Sequence, residues 1–153
     1  MPDYILAFRF TIAAVLMGIF MWKKLGGISA KEWLAGLVVG VLMYGAYLLQ
    51  TVALQYTTAG KNAFLTAVYV VLVPFMLWGV RHIRPDKFNV IAAVLCLLGI
   101  GTLSLDGGFS INIGDALTLL GGIFYGLHIV AVSFFTEKYD VMRLTWMQFF
   151  FTA

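Results

Sequence analysis

Hydroxyl and amide side chains recur at helical spacing in two otherwise apolar stretches. The first stretch carries four of them, at steps of three, four and four residues: Tyr44, Tyr47, Thr51 and Gln55. The second carries three: Asn62, Thr66 and Tyr69. Such spacing places each set on one face of a helix. The two stripes could line a cavity that accepts a small molecule, or they could hydrogen-bond one helix to the other.

Arg9 is the sole formal charge well inside an apolar stretch. A guanidinium in such a place needs a partner or a water-filled pocket, and it could then bind a carboxylate or take part in gating. The side chain could equally extend to the nearest lipid headgroups.

Two further side chains that could bind a ligand or carry a proton lie in the apolar stretch 116–135. Protonation of His128 near neutral pH would suit proton coupling, although a lone histidine can also be a hydrogen-bonded structural residue. Tyr125 shares a helical face with Thr118, Gly121 and Gly122, which favours a cavity wall or, for the glycines, close helix packing.

Pro74 lies in the middle of the stretch 62–80. It cannot donate to the carbonyl of Val70 and is expected to kink the helix. Such a bend could serve as a gate, yet ordinary membrane helices also tolerate proline.

Composition and hydropathy indicate that these polar residues lie in membrane-spanning helices. The chain is 62% hydrophobic and 11% charged, whereas soluble domains have about 45–50% apolar and about 25% charged residues. Four windows are nearly free of charge and long enough to cross a bilayer as helices: residues 33–56, 62–80, 88–105 and 116–135. Residues 4–22 form another span, which contains Arg9, and a sixth begins near Leu144. The predicted fold is an all-α integral-membrane bundle with five spans and the start of a sixth.

Basic residues predict the orientation of these spans. Eight of the ten fall in alternate loops: Lys23, Lys24, Lys31, Arg81, Arg84, Lys87, Lys138 and Arg143. Basic loops stay cytoplasmic, so the segments after the first, third and fifth spans are predicted inside and the N-terminus outside. The net charge of +3 is thus a topology signal, and no nucleic-acid partner is expected. The six-residue break at 57–62 is a hairpin on the outer side, which Gly60 could turn.

Motifs for catalysis, cofactors or metal binding are not found in the sequence. The acidic residues lie in loops or at helix ends, and Asp115 is expected to cap the fifth span. An integral-membrane enzyme stays an alternative, which the lack of paired acid and base groups inside the spans counts against.

A short internal repeat relates the first span to the sixth. The segment "AFRFTIAA" resembles "WMQFFFTA", with Arg9 opposite Gln148. Because these spans run in opposite directions, the repeat is inverted, which is a building plan of secondary transporters.

The chain resembles the drug/metabolite transporter superfamily, and within it the EamA-type transporters. The resemblance rests on "FRFTIAA", on "ALQYTTAGKNAFLTAVYVVLVPF" and on "GDALTLLGGIFYGLHIV". It implies two inverted five-helix repeats, of which residues 1–107 would supply helices two to five of the first and residues 108–153 the start of the second. One departure is "WGVRHIRPDKF", where the Glu that the family often shows is replaced by Val80 or Arg81.

The resemblance implies a carrier or exporter of small metabolites, such as amino acids or amphipathic compounds, that works by alternating access in the cytoplasmic membrane. Its expected partners are the lipid bilayer and a small-molecule substrate. The expected substrate-binding residues are those singled out above: Arg9, Tyr44, Tyr47, Thr51, Asn62, Thr66, Tyr69, Tyr125 and His128. The alternatives are a truncated fragment that does not transport and a homodimer that restores a ten-helix assembly.

Overall fold

A computed structural model describes residues 2–82, 84–105 and 112–153 of the chain. The described residues form helices α1 (Pro2–Met21), α2 (Ala30–Ala53), α3 (Ala59–Thr66), α4 (Val68–Arg81), α5 (Lys87–Leu105), α6 (Ile113–Phe135) and α7 (Val141–Thr152). The all-α membrane bundle predicted from the sequence is therefore confirmed.

Four segments of the described chain are long and apolar enough to cross a membrane: Tyr4–Met21, Ala30–Ala53, Ala59–Arg81 and Ile113–Phe135. Helix α5 adds a shorter apolar segment, Lys87–Gly99. The predicted span 62–80 is a pair of helices, α3 and α4, that meet at Ala67.

Helix α2 is the centre of the bundle. It packs against α6 on one side and α7 on the other, α1 lies against α7 and α2, and α3 and α4 lie against α6. Helix α5 is peripheral and packs on α3 and α4.

Glycines let α2 and α7 approach closely. A Cβ atom at Gly36 would lie 2.5 Å from the Cβ of Met147, and one at Gly40 would lie 2.5 Å from the Cβ of Phe151. Small residues of this kind are how membrane helices pack without a hydrophobic driving force.

The loops that follow α1, α4 and α6 meet at one end of the bundle. Arg81 pairs with Glu137 at 2.5 Å. Arg143 lies 3.6 Å from the carboxylate of Glu32 and donates to the carbonyl of Gly26 at 3.1 Å. These contacts place the basic loops on the same side, in agreement with the alternation of charge along the sequence.

The opposite end is held by a buried ion pair. Lys61 Nζ lies 2.7 Å from Asp115 Oδ2, and the two side chains are 21% and 6% exposed. The hydroxyl of Thr57 donates to the other carboxylate oxygen at 3.3 Å, and Asn112 donates its side-chain amide to the carbonyl of Tyr56 at 3.0 Å. We call the ion pair the Lys61–Asp115 latch, because it ties the α2–α3 hairpin to the start of α6.

Two details of this end differ from the sequence prediction. Gly60 lies in the first turn of α3 and does not turn the chain. The turn is formed before it, between Ala53 and Thr58, whose side chain caps α3. Asp115 belongs to a capping box in which Asn112 is the N-cap residue and Asp115 accepts from its backbone N–H at 3.3 Å.

Gly40→Ala is expected to destabilise the bundle, because its new methyl group would overlap α7. The expected loss is about 1–3 kcal/mol, measured by SDS-induced unfolding in mixed micelles. Gly79→Ala is the matched control, since nothing lies within 4 Å of a Cβ at that helical position. Equal stability of the two variants would contradict the close approach.

Asp115→Asn is expected to cost roughly 1.5–3 kcal/mol, because it removes the charged partner of Lys61 while keeping an oxygen for the Asn112 N–H. Lys61→Met should have a similar effect, and the double variant should lose little more than either single one. Additive losses in the same unfolding assay would show that the pair is not coupled. Lys31→Met, at an exposed lysine, is the control.

Candidate functional site

A cavity opens where α2, the α3–α4 junction and α6 face each other. It has a volume of about 350 Å³. The walls are tyrosines, an amide, a hydroxyl and two alanines: Tyr47, Gln50, Ala63, Thr66, Ala67, Tyr69 and Tyr125. This volume is in the range of small-molecule pockets. We call it the tyrosine cavity.

The aromatic wall of the tyrosine cavity is continuous. The ring of Tyr125 lies 5.3 Å from that of Tyr47, centroid to centroid, and 5.5 Å from that of Tyr69. These distances are typical of favourable aromatic pairs. Three tyrosines from three helices therefore form one surface.

Gln50 connects this wall to the opposite side of the cavity. Its side-chain oxygen accepts from the Tyr125 hydroxyl at 3.0 Å, and its amide nitrogen donates to the Thr66 hydroxyl at 3.1 Å. Thr66 in turn donates to the carbonyl of Asn62 at 2.8 Å. The network fixes the side chain of Gln50 at the cavity wall.

A second cavity lies on the other side of Tyr47, between α1, α2 and α7. It has a volume of about 650 Å³ and includes Arg9, Phe10, Gln148 and Phe149 among its walls. We call it the arginine cavity. Arg9 lies over the ring of Tyr47, with 5.6 Å from Cζ to the ring centroid, which is a cation–π distance.

Arg9 and Gln148 face the same cavity, although 139 positions separate them in the chain. The inverted repeat aligned these two residues, and α1 packs against α7. Within the described residues Arg9 takes part in none of the ion pairs, which involve Lys61, Arg81 and Arg143.

The junction between α3 and α4 lies at the tyrosine cavity. Helix α3 ends at Thr66, and both Thr66 and Ala67 line the cavity. Ala67 keeps right-handed helical dihedrals (φ −59°, ψ −11°) and its N–H donates to the carbonyl of Ala63 at 3.1 Å, so the chain stays helical through the junction. Pro74 lies seven residues later, inside α4, which continues from Val68 to Arg81.

The other expected site residues lie outside the two cavities. Asn62 is buried and donates to the Gln50 carbonyl and to Thr118 Oγ1, both at 3.1 Å, so it joins α3 to α2 and α6. Thr51 donates to the carbonyl of Tyr47 within α2.

Tyr44 and His128 also lie outside the cavities. Tyr44 is 38% exposed on the surface of α2. His128 Nδ1 lies 3.2 Å from the carbonyl oxygen of Val39, and this contact links α6 to α2.

Gln50 is the cavity residue that the stripe analysis missed. The stripe continued from Tyr47 by four residues to Thr51, whereas a step of three reaches Gln50. An amide inside an apolar helix costs free energy unless it is hydrogen-bonded. The position of Gln50 inside an apolar span could therefore have identified it as a residue with a polar partner.

The sequence profile of the EamA-like transporter family matches residues 2–105. An uncharacterized transporter of Archaeoglobus fulgidus is 35% identical over 142 residues, which cover 93% of this chain and 43% of that protein. Solute carrier family 35 member F2 of Mus musculus is 29% identical over 80% of this chain and 34% of its own length. The uncharacterized transporter YrdR of Bacillus subtilis is 25% identical over 82% of this chain and 42% of its own length.

The chain thus spans less than half the length of these relatives. No solved structure matches it. The family profile covers most of the chain, and it includes α1 to α5 with Arg9, Gln50 and the α3–α4 junction. On this evidence the chain is a multi-pass membrane protein that belongs to the EamA-like transporter family.

Proposed function

We propose that this chain forms the substrate-binding part of a secondary carrier in the cytoplasmic membrane. The carrier moves small metabolites, such as amino acids or amphipathic compounds, by alternating access. The observation that carries the proposal is the tyrosine cavity, a polar and aromatic site inside an apolar bundle, at the junction of α3 and α4.

The chemistry of the walls supports a substrate with both polar and apolar parts. Tyr47, Tyr69 and Tyr125 offer aromatic surface together with hydroxyl groups, while Gln50 and Thr66 offer hydrogen-bonding groups. Pockets that bind metabolites combine an apolar lining with a few placed polar groups in this way.

Arg9 is proposed to bind the anionic group of the substrate. Its guanidinium faces the arginine cavity, next to Gln148 and the ring of Tyr47. A guanidinium matches a carboxylate by two parallel hydrogen bonds. Because Tyr47 lines the arginine cavity, a carboxylate at Arg9 would leave the remainder of an amphipathic substrate against the Tyr47 ring.

The remaining expected site residues are proposed to act through the shape of the bundle. Asn62 would hold α3 on α2 and α6, and Thr51 would act within α2. His128 would hold α6 on α2 and could carry a coupled proton, and Pro74 would contribute to a gate. Of the expected set, Tyr44 has the weakest support, because it lies on the exposed surface of α2.

An alternative assignment follows from the length of the relatives. The chain covers 43% of its archaeal relative, and in this alternative a single copy is inserted in the membrane but does not transport. A homodimer would join two such bundles, as two inverted halves are joined in secondary transporters.

Reconstitution in proteoliposomes tests the proposed function. We expect protein-dependent efflux from a mixed pool of amino acids and other small metabolites, together with a detergent-corrected mass that equals a dimer. Efflux absent from an inserted dimer would overturn the carrier assignment for this chain. Efflux absent from an inserted monomer would favour the alternative.

Tyr125→Phe is expected to lower the rate of efflux by up to about tenfold, because it removes a hydrogen bond of roughly 0.5–1.5 kcal/mol to Gln50 at the cavity wall. Tyr44→Phe is the matched control, with the same chemical change on the exposed surface of α2. Equal effects of both changes on efflux would contradict the tyrosine cavity as the site.

Arg9→Gln is expected to abolish the preference for carboxylate-bearing over uncharged compounds, with a loss of at least about tenfold for the carboxylates. Arg9→Lys should keep part of the preference, because the charge remains and the two-pronged geometry is lost. Arg84→Gln is the control for a change in net charge. An unchanged preference in Arg9→Gln would place the anion site elsewhere.

A further inference from the structure

A groove runs along α1 toward the end of the bundle opposite the Lys61–Asp115 latch, and basic residues lie at that end of the groove. Its apolar part has a volume of about 420 Å³ between α1 and α7. Its walls include Val15 and Gly18 from α1, Trp22 just after α1, and Trp146 and Phe150 from α7. The indole N–H of Trp146 donates to the carbonyl of Ala14 at 3.0 Å, so the ring presents apolar surface to the groove.

A second cavity, of about 530 Å³, adjoins the apolar groove at the end of α1. Trp22 lines both, and the second cavity adds Lys23, Lys24 and Met142. The ammonium of Lys23 lies 5.7 Å from the ring centroid of Trp22. Neither lysine takes part in the ion pairs of the described residues, which use Lys61, Arg81 and Arg143.

The position of this site along the membrane agrees with its chemistry. The loop after α1 is cytoplasmic in the topology that the basic residues predict, and the cytoplasmic leaflet carries anionic lipids that attract basic side chains. From Trp22 to Ala14 the groove runs eight residues, or about 12 Å along the helix. That length is within half of a hydrocarbon core about 30 Å thick.

We propose that this composite groove binds one anionic phospholipid of the inner leaflet. The phosphate group lies between Lys23 and Lys24, with Trp22 at the interface, and one acyl chain follows the apolar groove along Gly18 toward Ala14. The two lysines and the apolar walls adjoin at Trp22, which matches a lipid with an anionic head and a hydrocarbon tail. An apolar helix or a second copy would fill the groove without neutralising the two lysines.

Native mass spectrometry of the purified chain in mild detergent tests this proposal. Phosphatidylglycerol and phosphatidylcholine with the same acyl chains are added separately, so that the headgroup is the sole difference between them. We expect a retained phosphatidylglycerol adduct and a weaker phosphatidylcholine adduct. Equal retention of both lipids would overturn the proposal.

Lys23→Gln with Lys24→Gln is expected to weaken phosphatidylglycerol binding by about thirty-fold, at about 1 kcal/mol for each lysine. Lys31→Gln is the matched control, because Lys31 is an exposed lysine at the start of α2 on the same side of the bundle. Retained binding in the double variant, or an equal loss in the control, would contradict the headgroup site.

Two further measurements separate a bound lipid from a bound phosphate. Val15→Trp fills the apolar groove without changing a charge, and it should lower the affinity for long-chain phosphatidylglycerol by about tenfold or more. Inorganic phosphate and a short-chain phosphatidylglycerol should bind weakly to the unmodified chain. If either binds as tightly as the long-chain lipid, or if Val15→Trp leaves binding unchanged, the acyl-chain assignment is wrong.

Discussion

The close approach of α6 to α2 and α3 is the constraint on which the rest of the bundle depends. A Cβ atom at Gly114 would lie 3.0 Å from the carbonyl oxygen of Ala53, and one at Gly45 would lie 2.8 Å from the ring of Phe124. These two glycines therefore let α6 approach α2 closely, while Gly122 keeps α6 in van der Waals contact with Thr66 of α3. This approach brings Tyr125 to Tyr47 and to Tyr69 on α4, Thr118 to Asn62, and Asp115 to Lys61.

Polar contacts then hold the helices at the distance that the glycines allow. Asn62 bonds to α2 and α6 together, and in the described part of the chain every buried side-chain nitrogen or oxygen atom has a hydrogen-bond partner. Interhelical hydrogen bonds in membranes contribute little individually, about 0.6 kcal/mol on average. Their main effect here is to fix geometry, because an unpaired amide in hydrocarbon would cost more. The interhelical bonding that the stripes predicted occurs at Asn62 and also at the tyrosine cavity, where Thr66 accepts from Gln50. Thr66 therefore both lines the cavity and bonds one helix to another.

The helices could be predicted because length and hydropathy decide them, and the bounds of α1, α2 and α6 differ by a few residues from the predicted spans. The boundary between α3 and α4 at Ala67 could not be predicted, because alanine favours helices, its dihedrals stay helical, and Pro74 is the visible breaking residue. The Lys61–Asp115 latch could not be predicted either, because the two residues are 54 positions apart and meet only when α6 packs on α3. By contrast, the short inverted repeat aligned Arg9 with Gln148, and the structure places both on one cavity.

Tyr47 gives the proposed site its asymmetry. It stacks edge-on with Tyr125 on one side and with Phe10 on the other, at ring distances of 5.3 and 5.2 Å, and the Arg9 guanidinium lies near its ring. The ring therefore separates a neutral hydrogen-bonding cavity from a cationic one. In the proposed carrier, a shift of α1 and α7 relative to α2 and α6 would widen one cavity at the expense of the other. The rings that meet at Tyr47 come from α1, α2 and α6. Such a shift would therefore change the distance from the Tyr47 ring to Phe10 or to Tyr125.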